Sequence, residues 1–423
     1  MPTPVQAPTR FVGLDVHKHY LVAVGVDAAR TVVFGPQRVA YATLTAWIQQ
    51  HLTPADAVVL EMTTNAFQLH DELQPFVHSV TLVHPPQVAL VTQVPVKTDT
   101  KAALALAQLH AAGLLHGIWV PPPAVRDLRA VVAQRTKLRR LATQARNRLH
   151  AALHRARIVP PDGNPFAPEQ RQWWQTLPVS ALEQARIQSD LATLSFAEAQ
   201  VQHLEAALVA VAAEDERVPL LIQLPGIQLV SAVTILAAIG EIERFPSAEQ
   251  LVGYAGLGAR VHASGQLHRT GRITKTGRRD LRHIMVEAAH TASRSHPHWR
   301  RELARLEPRL GHNKAIVAIA RKLLVSVWHV LTQQSVDRHA EPCQVARALM
   351  VYGYRLGRAH RPHGQTVPEF VRAHLDRLGI GAELATVAKG PSTVLRLPPP
   401  QTGCAAQVSG EPHRPAAPAA SLG

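Results

Sequence analysis

The sequence predicts an α/β domain with a mixed sheet, followed by a mainly helical region. Residues 11–34 alternate apolar positions with short turns, which is typical of three successive strands. Segments with helical spacing and compact apolar strands then alternate up to about residue 112. Beyond a triple proline at 121–123, apolar residues recur mostly at helical spacing. The fold class is therefore α/β plus α.

The order of elements in the first block specifies the prediction further. The three strands have the sequences FVGLDVH, YLVAVGVD and TVVFG. We expect a helix at 44–52, a buried strand at 57–60, a helix at 66–73, a strand at 80–83 and a helix at 99–112. Three antiparallel strands followed by alternating helices and strands match an RNase H-like mixed-sheet fold.

Three carboxylates stand at element ends in this block. Asp15 interrupts the apolar first strand, Glu61 ends the fourth strand, and Asp99 opens the last helix. A carboxylate in a hydrophobic strand is costly unless it is paired, hydrogen-bonded or bound to metal. Since the first and fourth strands are neighbours in such a fold, we expect Asp15 and Glu61 to meet with Asp99 facing them. Oxygen ligands from separate elements suit Mg²⁺. A strand end and a helix cap are the structural alternative.

Two long segments with helical spacing follow, at about 125–158 and 180–213. They predict a coiled coil or bundle, which is usually an oligomerisation or spacer element. The first segment is rich in arginine. Those cations suit either nucleic-acid contact or an ordinary solvated face, and the sequence leaves this choice open.

A basic, glycine-rich stretch covers residues 258–282, after a Pro-Gly turn at 225–226 and an apolar helix. Ser264 lies just before the basic residues and next to Gly265. Bunched cations suit phosphate oxygens, and a hydroxyl beside a bound phosphodiester is a potential nucleophile. The alternative is a solvated loop with an ordinary turn serine. The candidate nucleic-acid-binding residues are Arg269, Arg272, Lys275, Arg278, Arg279 and Arg282.

Composition limits the class of protein. The formal net charge is +15, which suits a polyanionic partner, and the apolar content of 46% suits a folded chain. No uninterrupted apolar run approaches the ~20 residues of a spanning helix, and no signal-peptide core is present. We therefore expect a cytosolic protein without a membrane partner. The two cysteines, Cys343 and Cys404, fit neither a disulfide framework nor a zinc site.

Several separated motifs resemble the DEDD-type insertion-sequence transposases, a family that includes the pilin-gene invertases and RNA-guided (bridge RNA) recombinases. In the N-terminal part the resemblance rests on FVGLDVHK, LEMTTNAF and VHPPQVALVTQVPVKTD. In the C-terminal part it rests on LPGIQLVSAVTILAAIG, FPSAEQLVGYAGL, SGQLHRTGRITKTGRRDLR and GHNKAIVAIARKLL. It covers roughly residues 10–332 in the family's order, and several motifs in one order are more specific than any single one.

The resemblance implies a RuvC-like catalytic domain and a C-terminal transposase domain. It assigns Mg²⁺ binding to Asp15, Glu61 and Asp99, and the role of nucleophile, forming a phosphoserine link to DNA, to Ser264. The implied reaction is transesterification, which makes this an insertion-sequence transposase or site-specific recombinase. DNA, a guide RNA and further copies of the chain, as a dimer or tetramer, are the implied partners.

One position departs from the family's pattern. The family's fourth acid follows the third by three residues, where this chain has Ala102. Two alternative functions therefore stay open. One is a metal-dependent structure-specific nuclease or junction resolvase with a structural serine. The other is a degenerate copy that binds nucleic acid without cutting it.

Four regions are predicted along the chain. Residues 10–120 form the RuvC-like catalytic domain, 121–217 a helical or coiled-coil linker, and 218–335 the transposase domain with the serine. Residues 336–423 form an extension, whose distal part from about 397 is low-complexity and predicted to be disordered.

Overall fold

The structure is a computed structural model that describes residues 7–86, 98–264, 267–390 and 392–400. For residues 261–264, 267–270 and 272 it describes the backbone only. The chain divides into two compact units, Met1–Pro122 and Pro123–Gly423. Each unit is described by itself below.

The first unit is built on a five-stranded mixed sheet with the strand order β3-β2-β1-β4-β5. β1 pairs antiparallel with β2, and β2 with β3, whereas β4 runs parallel to β1 and β5 parallel to β4. This confirms the mixed sheet predicted from the sequence. The strands are β1 (Arg10–Val16), β2 (Tyr20–Asp27), β3 (Val32–Ala40), β4 (Asp56–Glu61) and β5 (Ser79–Val83).

Helices cover both faces of this sheet. They are α1 (Leu44–His51), α2 (Ala66–Leu73) and α3 (Asp99–Ala111). Because successive strand residues point to opposite faces, Leu14 packs into one apolar cluster while Gly13 faces α3. A Cβ at Gly13 would lie 2.1 Å from the carbonyl oxygen of Ala103. Only glycine therefore permits α3 to lie this close to β1.

The second unit begins with two long helices, α4 (Pro123–Ala156) and α6 (Ala181–Glu214), joined through the short helix α5 (Arg171–Gln175). Arg135 pairs with Glu205, and Arg155 pairs with Glu183. The later residue of α4 thus pairs with the earlier residue of α6, so the two helices run antiparallel. This is the helical pair predicted from the sequence. Two further arginines of α4, Arg146 and Arg148, also pair with acids of α6. Four of the arginines that suggested nucleic-acid contact therefore have partners within the protein.

The rest of the second unit, where the structure describes it, consists mainly of helices with two small hairpins. The helix α8 is buried along nearly its whole length, from Leu229 to Ile239, because its sequence is apolar all round. Arg129, Arg217 and Arg244 donate hydrogen bonds to carbonyl oxygens at its C-terminal end. The elements are α7 (Arg217–Ile222), α8 (Leu229–Ile239), α9 (Ala248–Tyr254), β6 (Ala259–Ser264), β7 (Leu267–Ile273), α10 (Arg279–Ser295), α11 (Pro297–Leu310) and α12 (His312–Gln333).

Helix α12 is long and apolar enough, by length and composition, to cross a membrane. The sequence shows no uninterrupted run there because Arg321 and Lys322 stand in its middle. Ile319, Leu323 and Val327 are fully buried within the second unit. The helix therefore serves as a core element of this unit.

The extension beyond residue 336 is folded in its first part. It contains α13 (Pro342–His360), α14 (Val367–Leu378) and the hairpin of β8 (Thr386–Ala388) and β9 (Val394–Arg396). Tyr352 on α13 donates a hydrogen bond of 2.8 Å to the carbonyl oxygen of Ala212 on α6. Residues 401–423, most of the segment predicted to be disordered, lie outside the described residues.

Candidate metal centre and basic hairpin

Asp15 lies near the end of β1, on the sheet face that is covered by α3. Residues two apart on a strand share a face, so Asp15 points to the same side as Gly13. Its side chain is 26% exposed. Burial raises the pKa of the Asp15 carboxyl; the nearby His17 opposes this shift, and the carboxylate of Asp99 adds to it. Its charged form is thus poorly solvated, which favours a cation beside it.

Asp99 reaches the same place from the first turn of α3. The helix begins after Thr98, whose hydroxyl accepts a hydrogen bond from the backbone N–H of Lys101. An acid in the first turn is stabilised by the helix dipole. The hydroxyl of Tyr20 donates a hydrogen bond of 3.0 Å to Asp99 Oδ2, and this bond raises the pKa of the Tyr20 phenol. Tyr20 therefore orients the Asp99 carboxylate.

His17 lies between the two carboxylates. Its Nε2 atom is 3.2 Å from Asp15 Oδ2 and 3.3 Å from Asp99 Oδ2. One ligand atom from each of Asp15, His17 and Asp99 lies within 4.8 Å of the others. These three residues are called the acidic cluster below. His17 was not among the site residues predicted from the sequence, although its place two residues after Asp15 continues the face alternation of β1.

Glu61 lies at the end of β4, beside β1. Leu14 pairs with Leu60 in the parallel register, so Glu61, the next residue of β4, lies level with Asp15, the next residue of β1. Its own strand partner is Val83 on β5. Among the described residues, however, Glu61 does not join the group of ligand atoms within 4.8 Å. The structure thus brings Asp15 and Asp99 together and places Glu61 on the adjacent strand, outside the group.

Ala102 occupies the next turn of α3 after Asp99. Its backbone N–H donates a hydrogen bond of 2.9 Å to the carbonyl oxygen of Thr98, as expected for a regular helix start. Its methyl side chain offers no ligand atom. The turn that follows Asp99 therefore contributes nothing to cation binding.

Ser264 is the last residue of β6, at the end of a two-stranded hairpin. It pairs with Leu267 at the start of β7, and His262 pairs with Arg269. The Ser264 side chain lies outside the described residues, as does the whole of Gly265. The backbone alone places this serine at the tip of the hairpin.

Two glycines lock the base of this hairpin onto the preceding helix. Gly256 has a φ of +68°, and a Cβ there would lie 2.2 Å from the carbonyl oxygen of Thr276. Gly277 has a φ of +102°, and a Cβ there would lie 2.3 Å from the carbonyl oxygen of Tyr254. Positive φ angles and such close approach both require glycine. Residues 258–282, called the basic hairpin segment below, are thus fixed at their base.

The predicted nucleic-acid-binding residues of this segment differ in their surroundings. Lys275 and Arg279 are exposed. Arg278 pairs with Asp280, and Arg282 donates a hydrogen bond of 2.8 Å to the carbonyl oxygen of Ala255. The side chains of Arg269 and Arg272 lie outside the described residues. Arg278 and Arg282 thus have partners within the protein, which limits their freedom to contact a ligand.

The acidic cluster has the donor set of a divalent-cation site. Two carboxylates and one imidazole are ligands that proteins use for divalent metals. The Nε2 atom of His17 is buried and makes no well-aligned hydrogen bond in the described part of the chain, despite its two carboxylate neighbours. A buried polar atom without a hydrogen bond is costly. Its position among the carboxylates therefore fits a bound cation.

Comparison with known proteins gives the family of the chain. Residues 12–158 match a model described as a transposase of the DEDD, IS110 type. Residues 218–304 match the model described as the transposase IS116/IS110/IS902 family. The two matched regions together span more than half of the chain and contain both the acidic cluster and the basic hairpin segment.

Curated relatives agree with these matches. The chain is 27% identical over 267 residues to the putative transposase y4qE of Sinorhizobium fredii, covering 63% of this chain and 66% of that protein. It is 30% identical over 141 residues to the transposase for insertion sequence element IS1111A of Coxiella burnetii, covering 32% and 38%. It is 26% identical over 337 residues to the pilin gene-inverting protein of Moraxella bovis, covering 76% and 96%. The chain thus spans just under two thirds of the first relative and less than half of the second.

On these matches, the chain belongs to the IS116/IS110/IS902 family of insertion-sequence transposases.

Proposed function

We propose that this protein is a DNA transposase or site-specific recombinase that cuts and rejoins strands through a metal-assisted serine nucleophile. The observation that carries the proposal is the convergence of Asp15 and Asp99, from β1 and from the start of α3, in the region that matches a DEDD-type transposase. The strand order 3-2-1-4-5 supports an RNase H-like, RuvC-like assignment for residues 10–120. Residues 218–335 would form the transposase domain.

In this proposal Asp15, Glu61 and Asp99 bind a divalent cation, taken as Mg²⁺ from the family resemblance. When bound, such an ion stabilises negative charge on phosphate oxygens and favours an alkoxide nucleophile. The protein's own contribution is positional. Tyr20 orients Asp99 through its phenol, and the contact of α3 with Gly13 places Asp99 beside Asp15.

Ser264 is the proposed nucleophile. Its hydroxyl oxygen attacks a DNA phosphorus atom, its proton passes to a base, and one deoxyribose oxygen leaves with the bonding electron pair. The product is a phosphoserine ester, so the strand can be rejoined when another deoxyribose hydroxyl attacks the same phosphorus. The place of Ser264 at the tip of a hairpin, next to a glycine, supports this role because it suits close approach of a large substrate.

The basic residues and the long helices supply the proposed partners. The net charge of +15 supports DNA binding, with Lys275 and Arg279 as the exposed candidates among the described side chains of the basic hairpin segment. Lys137, Arg139 and Arg140 on α4 are exposed as well. A guide RNA, assembly into dimers or tetramers, and action in the cytosol are further proposals that rest on the family resemblance.

The experiment is a search for a covalent protein–DNA adduct. The purified chain is incubated with labelled DNA that spans the insertion-element junctions flanking its gene, with a divalent cation, and the products are separated under denaturing conditions. Any nucleic acid that co-purifies is retained, so that an RNA guide is not lost. We expect an adduct whose mass spectrum places the nucleotide on Ser264, and its loss in Ser264→Ala.

Ser295→Ala is the matched control, because Ser295 is an exposed serine of the same unit whose hydroxyl donates a hydrogen bond to the carbonyl oxygen of Thr291. It should form adducts like the wild type. If Ser264→Ala cuts DNA as well as the wild type, the serine mechanism is wrong, and a metal-only nuclease or junction resolvase takes its place. If the wild type binds DNA but never cuts it, the chain is a degenerate copy, as Ala102 would permit.

A further inference from the structure

We infer that His17 is an inner ligand of the metal site, and that the site therefore prefers a first-row transition cation such as Mn²⁺ to Mg²⁺. This inference rests on the proposed function in so far as both require a cation at Asp15 and Asp99. The inference goes beyond the proposed function by assigning a nitrogen ligand and a class of metal.

The first argument is the spacing of the ligand atoms. The Nε2 atom of His17 is 3.2 Å and 3.3 Å from its two carboxylate neighbours. Ligands about 2.1 Å from a shared cation are about 3 Å apart at a right angle, and slightly further apart in a tetrahedron. The observed separations therefore fall within the range of atoms that share one ion.

The second argument is the state of that nitrogen. The Nε2 atom of His17 is buried, and no well-aligned hydrogen bond satisfies it in the part of the chain that the structure describes, although two carboxylate oxygens are near it. An imidazole that served only as an ion-pair partner would turn its N–H toward one of these oxygens, because a charge-assisted hydrogen bond is strong. A ring nitrogen that coordinates a cation needs no hydrogen bond, because the metal bond satisfies its lone pair.

The third argument is the rigidity of the ring. His17 stacks on Tyr20 with a centroid distance of 4.6 Å and an interplanar angle of 28°. Its backbone carbonyl oxygen accepts a hydrogen bond of 2.6 Å from the hydroxyl of Tyr41. The guanidinium of Arg38 covers Tyr20 at 3.8 Å. The stack therefore holds the imidazole in place, and its Tyr20 member also fixes Asp99, as outer-shell partners do in metal sites.

The fourth argument is that the third ligand has no other source on α3. Thr100 is exposed, and Ala102 and Ala103 have no ligand atoms. Mg²⁺ favours oxygen ligands and keeps several waters, whereas imidazole binds first-row transition cations well. An imidazole ligand beside the carboxylates of the proposed site thus favours Mn²⁺ over Mg²⁺.

The test measures metal binding on the full-length chain after chelation. Titration calorimetry gives the affinities for Mn²⁺ and Mg²⁺, and electron spin echo modulation of bound Mn²⁺ reports a directly bonded nitrogen. We expect the wild type to bind Mn²⁺ at least about tenfold more tightly than Mg²⁺, with a nitrogen signal. His17→Phe keeps a ring for the stack on Tyr20 but should lose the signal and about tenfold of the Mn²⁺ affinity.

His19→Phe is the control, since His19 is an exposed histidine of the same turn. It should bind Mn²⁺ like the wild type. Unchanged Mn²⁺ affinity in His17→Phe, or no nitrogen signal from the wild type, would overturn the inference.

The variant Asp15→Asn separates this inference from the proposed function. If it abolishes Mn²⁺ binding while His17→Phe does not, only the role of His17 fails. If Asp15→Asn binds Mn²⁺ as tightly as the wild type, the metal site of the proposed function fails as well. Melting temperatures in chelator confirm that each variant is folded.

Discussion

The acidic cluster and the basic hairpin segment are positioned by different means. In the first unit, regular elements do the positioning: Asp15 is fixed by the register of β1, and Asp99 by the start of α3. In the second unit, the hairpin is fixed at its base by Gly256 and Gly277, which have positive φ angles and lie against carbonyl oxygens. The position of the acidic cluster therefore depends on the packing of α3 against the sheet. The position of the basic hairpin segment depends on the two turns at Gly256 and Gly277.

The largest stability effect is expected at the base of the hairpin. Gly277→Ala would place a Cβ 2.3 Å from the carbonyl oxygen of Tyr254 at a φ of +102°. Backbone strain and overpacking together should lower the free energy of unfolding by about 3–5 kcal/mol. Gly258→Ala is the control, since nothing lies within 4 Å of its Cβ position. Urea denaturation of the full-length chain measures both. Equal stability of the two variants would show that the base of the hairpin does not require glycine.

A smaller effect is expected where α3 contacts the sheet. Gly13→Ala would place a Cβ 2.1 Å from the carbonyl oxygen of Ala103, so α3 must move outward. We expect a loss of about 1–3 kcal/mol of stability, with weaker metal binding because Asp99 moves with its helix. Gly35→Ala, on β3 with open space around it, should change neither. Wild-type metal affinity in Gly13→Ala would separate the acidic cluster from the docking of α3.

The smallest effect concerns pH. His110 in the last turn of α3 packs edge-on against Phe11 of β1, and burial lowers its pKa below the ordinary value of 6.5. The unfolded chain therefore binds a proton at this histidine before the folded chain does. Its contribution to stability is complete above about pH 6.5 and is lost progressively as the pH falls below that value. The wild type should thus be less stable at pH 5.5 than at pH 7.5.

The variant His110→Gln should weaken that pH dependence, whereas His116→Gln, at an exposed histidine, should leave it unchanged. Urea denaturation at the two pH values measures the difference. If His110→Gln retains the full pH dependence, protonation of this histidine does not loosen α3.

The same contrast explains which features the sequence could predict. The strands, their order and the long helical pair follow from periodicity, because each pattern maps onto one local geometry. The places of Asp15 near the end of β1 and of Asp99 at the start of α3 could be predicted for the same reason. His17 was missed because it follows the last residue of β1, and strand alternation does not show that the β1–β2 turn brings its ring between the carboxylates of Asp15 and Asp99.

Side-chain contacts within the folded chain account for the other differences. Charge density alone could not show that Arg278 pairs with Asp280, or that Arg282 bonds to the carbonyl oxygen of Ala255. Nor could composition show that arginines of α4 face acids of α6. Glu61 was correctly expected on the strand beside Asp15, but ligand distances depend on side-chain geometry, which strand order does not determine.

The most direct measurement of the central claim is the location of a bound cation. Crystals of the full-length chain grown with Mn²⁺ would give an anomalous difference peak. The account predicts one strong peak within about 2.3 Å of carboxylate oxygens of both Asp15 and Asp99. A peak bound elsewhere, with these two carboxylates free of metal at saturating Mn²⁺, would contradict it.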